Sequence, residues 1–224
     1  MSDSELLRPT PWDSAVFGLP TFELVDASEA ALLETGRQPG HYTVKVDPLA
    51  DKRLLHQHGF YYCDTLIEPF CNRSLFIHHD SPDATIDPAI ALEKILTVCD
   101  HNFAFGRFHR DFNLDREAAD RRYRQWLAQL HARGGAVGLL YQDEVVGFIA
   151  HEGGKLLLHA LYPAWQGKGL AKHFWSPLCE RLFAAGTDEI SSSVSAGNVA
   201  VLNLYASLGF RFRHPVDIYH RLMK

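Results

Sequence analysis

The chain has 224 residues, 46% of them hydrophobic, 12% aromatic and 22% charged, with a formal net charge of −5. That is enough apolar chain for a sizeable core, in one larger domain or two small ones. The negative balance disfavours a nucleic-acid binder, which normally carries a basic surplus, while leaving room for a local basic pocket.

The opening "MSDSELLRPTPWDS" lacks a basic segment followed by an apolar one, so no signal peptide is expected. No apolar run reaches the ~18 residues of a membrane span. A cytoplasmic protein without membrane or nucleic-acid partners is the expectation. The four cysteines (Cys63, Cys71, Cys99, Cys179) show no CxxC spacing and read as reduced, mostly buried thiols. The thirteen histidines form no HExxH-like pattern, and no metal is expected.

Along the chain, "TFELV" (21–25), "YTVKV" (42–46) and "YYCDTLIEPF" (61–70) read as strands, with a short helix in "LADKRLLHQHGF" stopped by Gly59. "HHDSPDATIDP" (78–88) carries two prolines and several Asp and Ser residues and reads as a linker. Residues 89–105 have the spacing of an amphipathic helix, and 115–135 that of another, closed by Gly134-Gly135. A hairpin over 136–152 turns at "QDE", and a strand follows at 155–162. A helix over 169–186 contains Pro177, an expected kink. A strand (189–195), a helix (198–209) stopped by Gly209 and a closing strand pair complete a mixed sheet with helices on its faces.

The segment from "YTVKV" through Gly59-Phe60 and the one from "ISSSVS" through Gly209-Phe210 share the order strand, helix, "GF", strand. This predicts an α/β fold with a degenerate N-terminal half-repeat (residues 1–80) and a second domain (85–224). The first copy lacks a glycine loop, so one active site is expected.

That loop is "PAWQGKGLAKHF" (163–174). Two glycines at the start of a helix leave backbone N–H groups uncovered where the helix dipole favours negative charge, which makes an anion cradle. The dinucleotide fingerprint is not met, because Lys172 stands where its third glycine would be, and the Walker pattern is absent.

"LYPAWQGKGLA" resembles the pyrophosphate loop of the GNAT acetyltransferases, V-x-P-x-x-[RQ]-G-x-G-[LI]-[GA], with Leu161 at the valine position. "GNVAVLNLYASLGF" resembles the family's N-x(6)-Y-x(3)-G-F segment. The resemblance covers residues 89–224. It implies a GNAT fold and acetyl-CoA as cosubstrate, held by Leu158, Ala160 and Leu161 on the strand, by Gln166, Gly167, Lys168, Gly169, Leu170 and Ala171 in the loop, and by Asn198. It implies Tyr205 as general acid; a phenol of pKa ~10 is a suitable donor to a thiolate whose acid has pKa ~8.5. His159 or Glu152 is placed to act as a base.

A "W-x(4)-F-G" start (Trp12, Phe17, Gly18) and an "SRF"-like segment (Arg107, Phe108, with Gly106 for the serine) are similar to those of the dTDP-fucosamine acetyltransferases. That resemblance implies a nucleotide amino sugar as substrate, acetylated at its 4-amino group, in polysaccharide biosynthesis. Arg107, Phe108 and Arg110 would bind it: two guanidinium forks for a diphosphate and rings for a base. A plain structural reading pairs Arg107 with Asp111 or Asp115 instead. The alternatives are another amine (an aminoglycoside, a polyamine or a protein N-terminus) and a non-catalytic acyl-CoA-binding protein. A homodimer is compatible with either.

Overall fold

The computed structural model describes residues 6–100 and 102–224. The N-terminal half runs β1 (Leu7–Pro9), α1 (Pro11–Phe17), β2 (Thr21–Leu24), α2 (Glu29–Glu34), β3 (Gly40–Val46), α3 (Arg53–Gln57) and β4 (Tyr61–Asn72). The rest follows as β5 (Ala84–Asp87), α4 (Arg107–Arg110), α5 (Arg116–Ala132), β6 (Ala136–Tyr141), β7 (Glu144–Glu152), β8 (Lys155–Leu161), α6 (Ala171–Ala184), β9 (Glu189–Ser192), β10 (Val194–Ser195), α7 (Val199–Ser207) and β11 (Arg211–Met223). This is a mixed α/β architecture with helices flanking the sheet.

One sheet passes through both halves in the order β1-β2-β3-β11-β4-β9-β8-β7-β6-β5, with β10 beside β4. The last strand, β11, pairs antiparallel with both β3 and β4. The C-terminus of the chain is therefore built into the middle of the N-terminal half.

Alternation along β6, β7 and β8 divides the core. Val137, Leu139 and Ile149 pack with Phe174, Trp175 and Leu178 of α6 on one face. Ala136, Phe148, Ala150 and Leu158 pack with Leu127 and Leu130 of α5 on the other. Helix α5 starts where Asp115 accepts hydrogen bonds from the N–H groups of Glu117 and Ala118.

Three sequence expectations need correction. Residues 89–105 form no long helix; two 3-10 turns (Leu92–Lys94 and Leu96–Cys99) carry the chain, with Ile95, Val98 and Cys99 buried under the sheet. Ile, Thr and Val are weak helix formers, and tertiary packing of those apolar residues decides the outcome. The linker at 78–88 contains a strand, because residues 84–87 pair with β6 along an otherwise open edge. The closing strand pair is a single long strand with a bulge between Arg213 and Val216. There Pro215 lacks a ladder donor and His214 has φ +50°.

Candidate active site

Strands β8 and β9 run parallel but pair only at Lys155↔Ser191 and Leu156↔Ser192. Beyond that point β8 continues to Leu161, while the other side of the chain moves to β10 and pairs with Leu66 and Ile67 of β4. The sheet is split open there, and the β8 edge from Leu157 to Leu161 faces a gap. That gap is the middle of a cleft of about 870 Å³.

The loop of residues 163–170 forms one end of the cleft. Gly167 and Gly169 both have φ +71°, a conformation that favours glycine, and a Cβ at either would meet nothing within 4 Å. Their backbone rather than any side chain faces open space. Among the described residues, no acceptor engages the N–H groups of residues 167–172. Gln166 does different work: its Nε2 donates to Asn102 Oδ1 (2.7 Å) and to the Leu161 carbonyl (2.9 Å), tying the loop to β8. Lys168 Nζ lies 4.7 Å from the centre of the Trp165 ring. Asn198 caps α7, its Oδ1 accepting from Val201 N–H (3.3 Å).

The cleft brings together Leu158, His159, Ala160, Leu161, all six loop residues from Gln166 to Ala171, Asn198, Arg107 and Phe108. It does not bring in Tyr205, which is fully buried behind the wall. The Tyr205 hydroxyl lies 3.0 Å from His159 Nε2, and His159 does line the cleft. Burial pushes the phenol well above its ordinary value and pulls His159 down to about 4, so both are neutral near pH 7. Glu152 lies at the end of β7, exposed and paired with Arg133, and does not line the cleft.

At the other end, Arg107 lines the cleft beside Phe103, Tyr123 and Trp126. Its guanidinium stands 4.8 Å over the Phe108 ring, and among the described residues no carboxylate bonds it. The two acids that plain reasoning offered are engaged elsewhere. Asp111 accepts from His41 Nε2 and His220 Nδ1, and Asp115 caps α5. Phe108 is mostly core, packed with Leu114, Ala119 and Phe17. Arg110 stands outside the lining and donates to Asp64 Oδ1 at 2.9 Å. Glycine at 106 goes with Tyr123, whose hydroxyl occupies the place a Cβ would take.

Sequence reasoning missed Asp64. It lines the cleft from β4 and is fully buried. The available signal was a carboxylate inside the apolar strand "YYCDTLIEPF".

Residues 101–210 match the family model described as acetyltransferase (GNAT) family. This part of the chain has the fold of a GNAT acetyltransferase domain. The spore coat polysaccharide biosynthesis protein SpsD of Bacillus subtilis is 25% identical over 134 residues, 57% of this chain and 46% of that protein. In fold, the chain is similar to a GCN5-related N-acetyltransferase from Sphaerobacter thermophilus, with TM-score 0.61 and 13% identity over 82% of this chain and 60% of that one. It is also similar to a tandem GNAT protein from the clavulanic acid biosynthesis pathway, with TM-score 0.57 and 10% identity over 92% and 76% of the two chains. The chain thus spans less than two thirds of the length of SpsD and of the Sphaerobacter protein. The GNAT domain contributes the loop, the split sheet and α7 to the cleft; Asp64 and Leu66 come from the N-terminal half.

Proposed function

We propose that this protein transfers the acetyl group of acetyl-CoA to the 4-amino group of a dTDP-4-amino-4,6-dideoxyhexose. The observation that carries the transfer is the meeting of an uncovered helix N-terminus and an unpaired strand edge in one cleft. The first suits a pyrophosphate: six successive N–H groups without acceptors among the described residues, at the positive end of α6. The second suits a pantetheine arm and a thioester carbonyl, which would accept hydrogen bonds from free β8 amides as negative charge develops on its oxygen.

Attack by a neutral amine on the carbonyl carbon and loss of the thiolate complete the reaction, and the sulfur needs a proton. Tyr205 supplies it through His159, because His159 is the member of the pair at the cleft wall. Residues 85–224 carry these groups.

The nucleotide sugar is supported by Arg107, a partly buried cation that no carboxylate hydrogen-bonds among the described residues, in an aromatic-lined end of the cleft. The polysaccharide role printed for SpsD is in keeping with it. Purified protein with acetyl-CoA and dTDP-4-amino-4,6-dideoxygalactose should release free thiol and form the N-acetyl sugar. Thiol release with other amines but not with this one would keep the transfer and discard the sugar.

A further inference from the structure

We propose that Asp64, on β4 of the N-terminal half, binds the substrate's ammonium group and takes its first proton; the assignment rests on the acetyl-transfer reading above. Asp64 has no exposed surface, yet it lines the cleft. Its Oδ1 accepts from Ser195 Oγ (2.7 Å), Arg110 Nη1 (2.9 Å) and Thr65 N–H (2.9 Å). Its Oδ2 is buried and, among the described residues, has no hydrogen-bond partner. A buried carboxylate oxygen without a donor costs stability, and such groups call for an explanation.

Two further observations point to a cationic donor from the ligand. Asp64 is the sole carboxylate among the described residues that line the cleft. Its anchor Ser195 belongs to β10, on the side of the gap opposite β8, so the acid stands where the sheet splits. The groups facing it are Arg110 and Arg107 from α4, Tyr123 from α5 and the neighbouring Cys63. Burial raises the Asp64 pKa despite the arginines, which favours proton uptake.

The proton balance is simple. The ammonium gives one proton to Asp64 and becomes a neutral amine. The amine nitrogen bonds to the acetyl carbon as the carbon–sulfur bond breaks. The second nitrogen proton passes to the His159–Tyr205 pair, replacing the one that pair gives the departing thiolate, and Asp64 returns its own to solvent. The N-terminal half, with no glycine loop of its own, would thereby complete the single site.

The test compares wild type, Asp64→Asn and Asp64→Glu by thiol release with acetyl-CoA and dTDP-4-amino-4,6-dideoxygalactose across pH. Calorimetric acetyl-CoA binding reports on the fold of each variant. Asp64→Asn should lose about a hundredfold or more in kcat/KM, within the span typical of a positioned acid or base. Its acetyl-CoA affinity should stay within about twofold. Its rate should recover as pH rises, because solution then supplies neutral amine. Asp64→Glu should restore part of the activity and move the acid limb of the pH profile, and it decides the matter if the asparagine variant does not bind acetyl-CoA. Wild-type rates in Asp64→Asn at all pH values, or an unmoved acid limb in Asp64→Glu, would overturn the role of Asp64 alone. No turnover by the wild-type protein would overturn the functional reading, and this inference with it.

Discussion

The Tyr205 hydroxyl and His159 Nε2 stand 3.0 Å apart, with the tyrosine fully buried and the histidine at the cleft wall. In the proposed reaction a proton leaving Tyr205 passes through His159, and the two should behave as one unit. Tyr205→Phe and His159→Phe should each lower kcat by about a hundredfold. The double variant should lose little more than either single one, the non-additivity expected of groups that act together. Steady-state thiol release by the four proteins measures it, and additive losses would separate their roles.

Acid should destabilise the fold. Burial lowers His159 to about 4 and His220 to about 3. Unfolded, each binds a proton near pH 6.5. Stability from the two histidines is whole above that pH and declines as pH falls through 6.5 toward 4. The melting temperature should drop by about 5 °C or more between pH 7 and pH 4.5, read by calorimetry.

Asp111 joins the two halves. Burial alone would raise its carboxyl, but hydrogen bonds from His220 and His41 outweigh it and hold the group well below the usual carboxylate range. Tyr61 donates to it as well, at 2.9 Å. Asp111→Asn withdraws the charge these buried donors share. The loss should be about 3 kcal/mol, the scale of breaking a buried polar pair. Denaturant unfolding measures it.

Arg107 should behave oppositely. Burial lowers its pKa; Asp13 and Glu23 stand near enough to offset part of that cost, but among the described residues no carboxylate hydrogen-bonds it. Arg107→Met should leave the melting temperature unchanged or slightly higher. It should raise KM for the nucleotide sugar by about tenfold or more, the worth of one charge-assisted contact. A KM unchanged in this variant would remove the arginine from the substrate site.

Much of this was legible in the chain. Two apolar runs around a polar turn marked β6 and β7, and the Gln142-Asp143 turn between them has φ +50° and +65°, as a tight hairpin turn requires. The loop at 163–170 was legible as a strand-to-helix turn because its backbone, with φ +71° at Gly167 and Gly169, favours glycine there. Long-range placement was not legible. Nothing local says that β11 inserts between β3 and β4, or that residues 89–105 trade helical hydrogen bonds for burial of Ile95 and Val98. Asp64 was hidden for the same reason. Its meaning depends on Arg110 and Ser195, 46 and 131 positions away.

The cradle at the start of α6 is the claim on which the rest stands. Its most direct test is calorimetric titration of acetyl-CoA into the wild type and into Gly169→Glu. The position has φ +71° and open space around it, so the new side chain costs about 1–2 kcal/mol in backbone strain and no collision. Its carboxylate would lie against the pyrophosphate. The account predicts binding by the wild type, loss of about a hundredfold or more in the variant, and a cooperative melt retained by both. Equal affinity in the two proteins would contradict it.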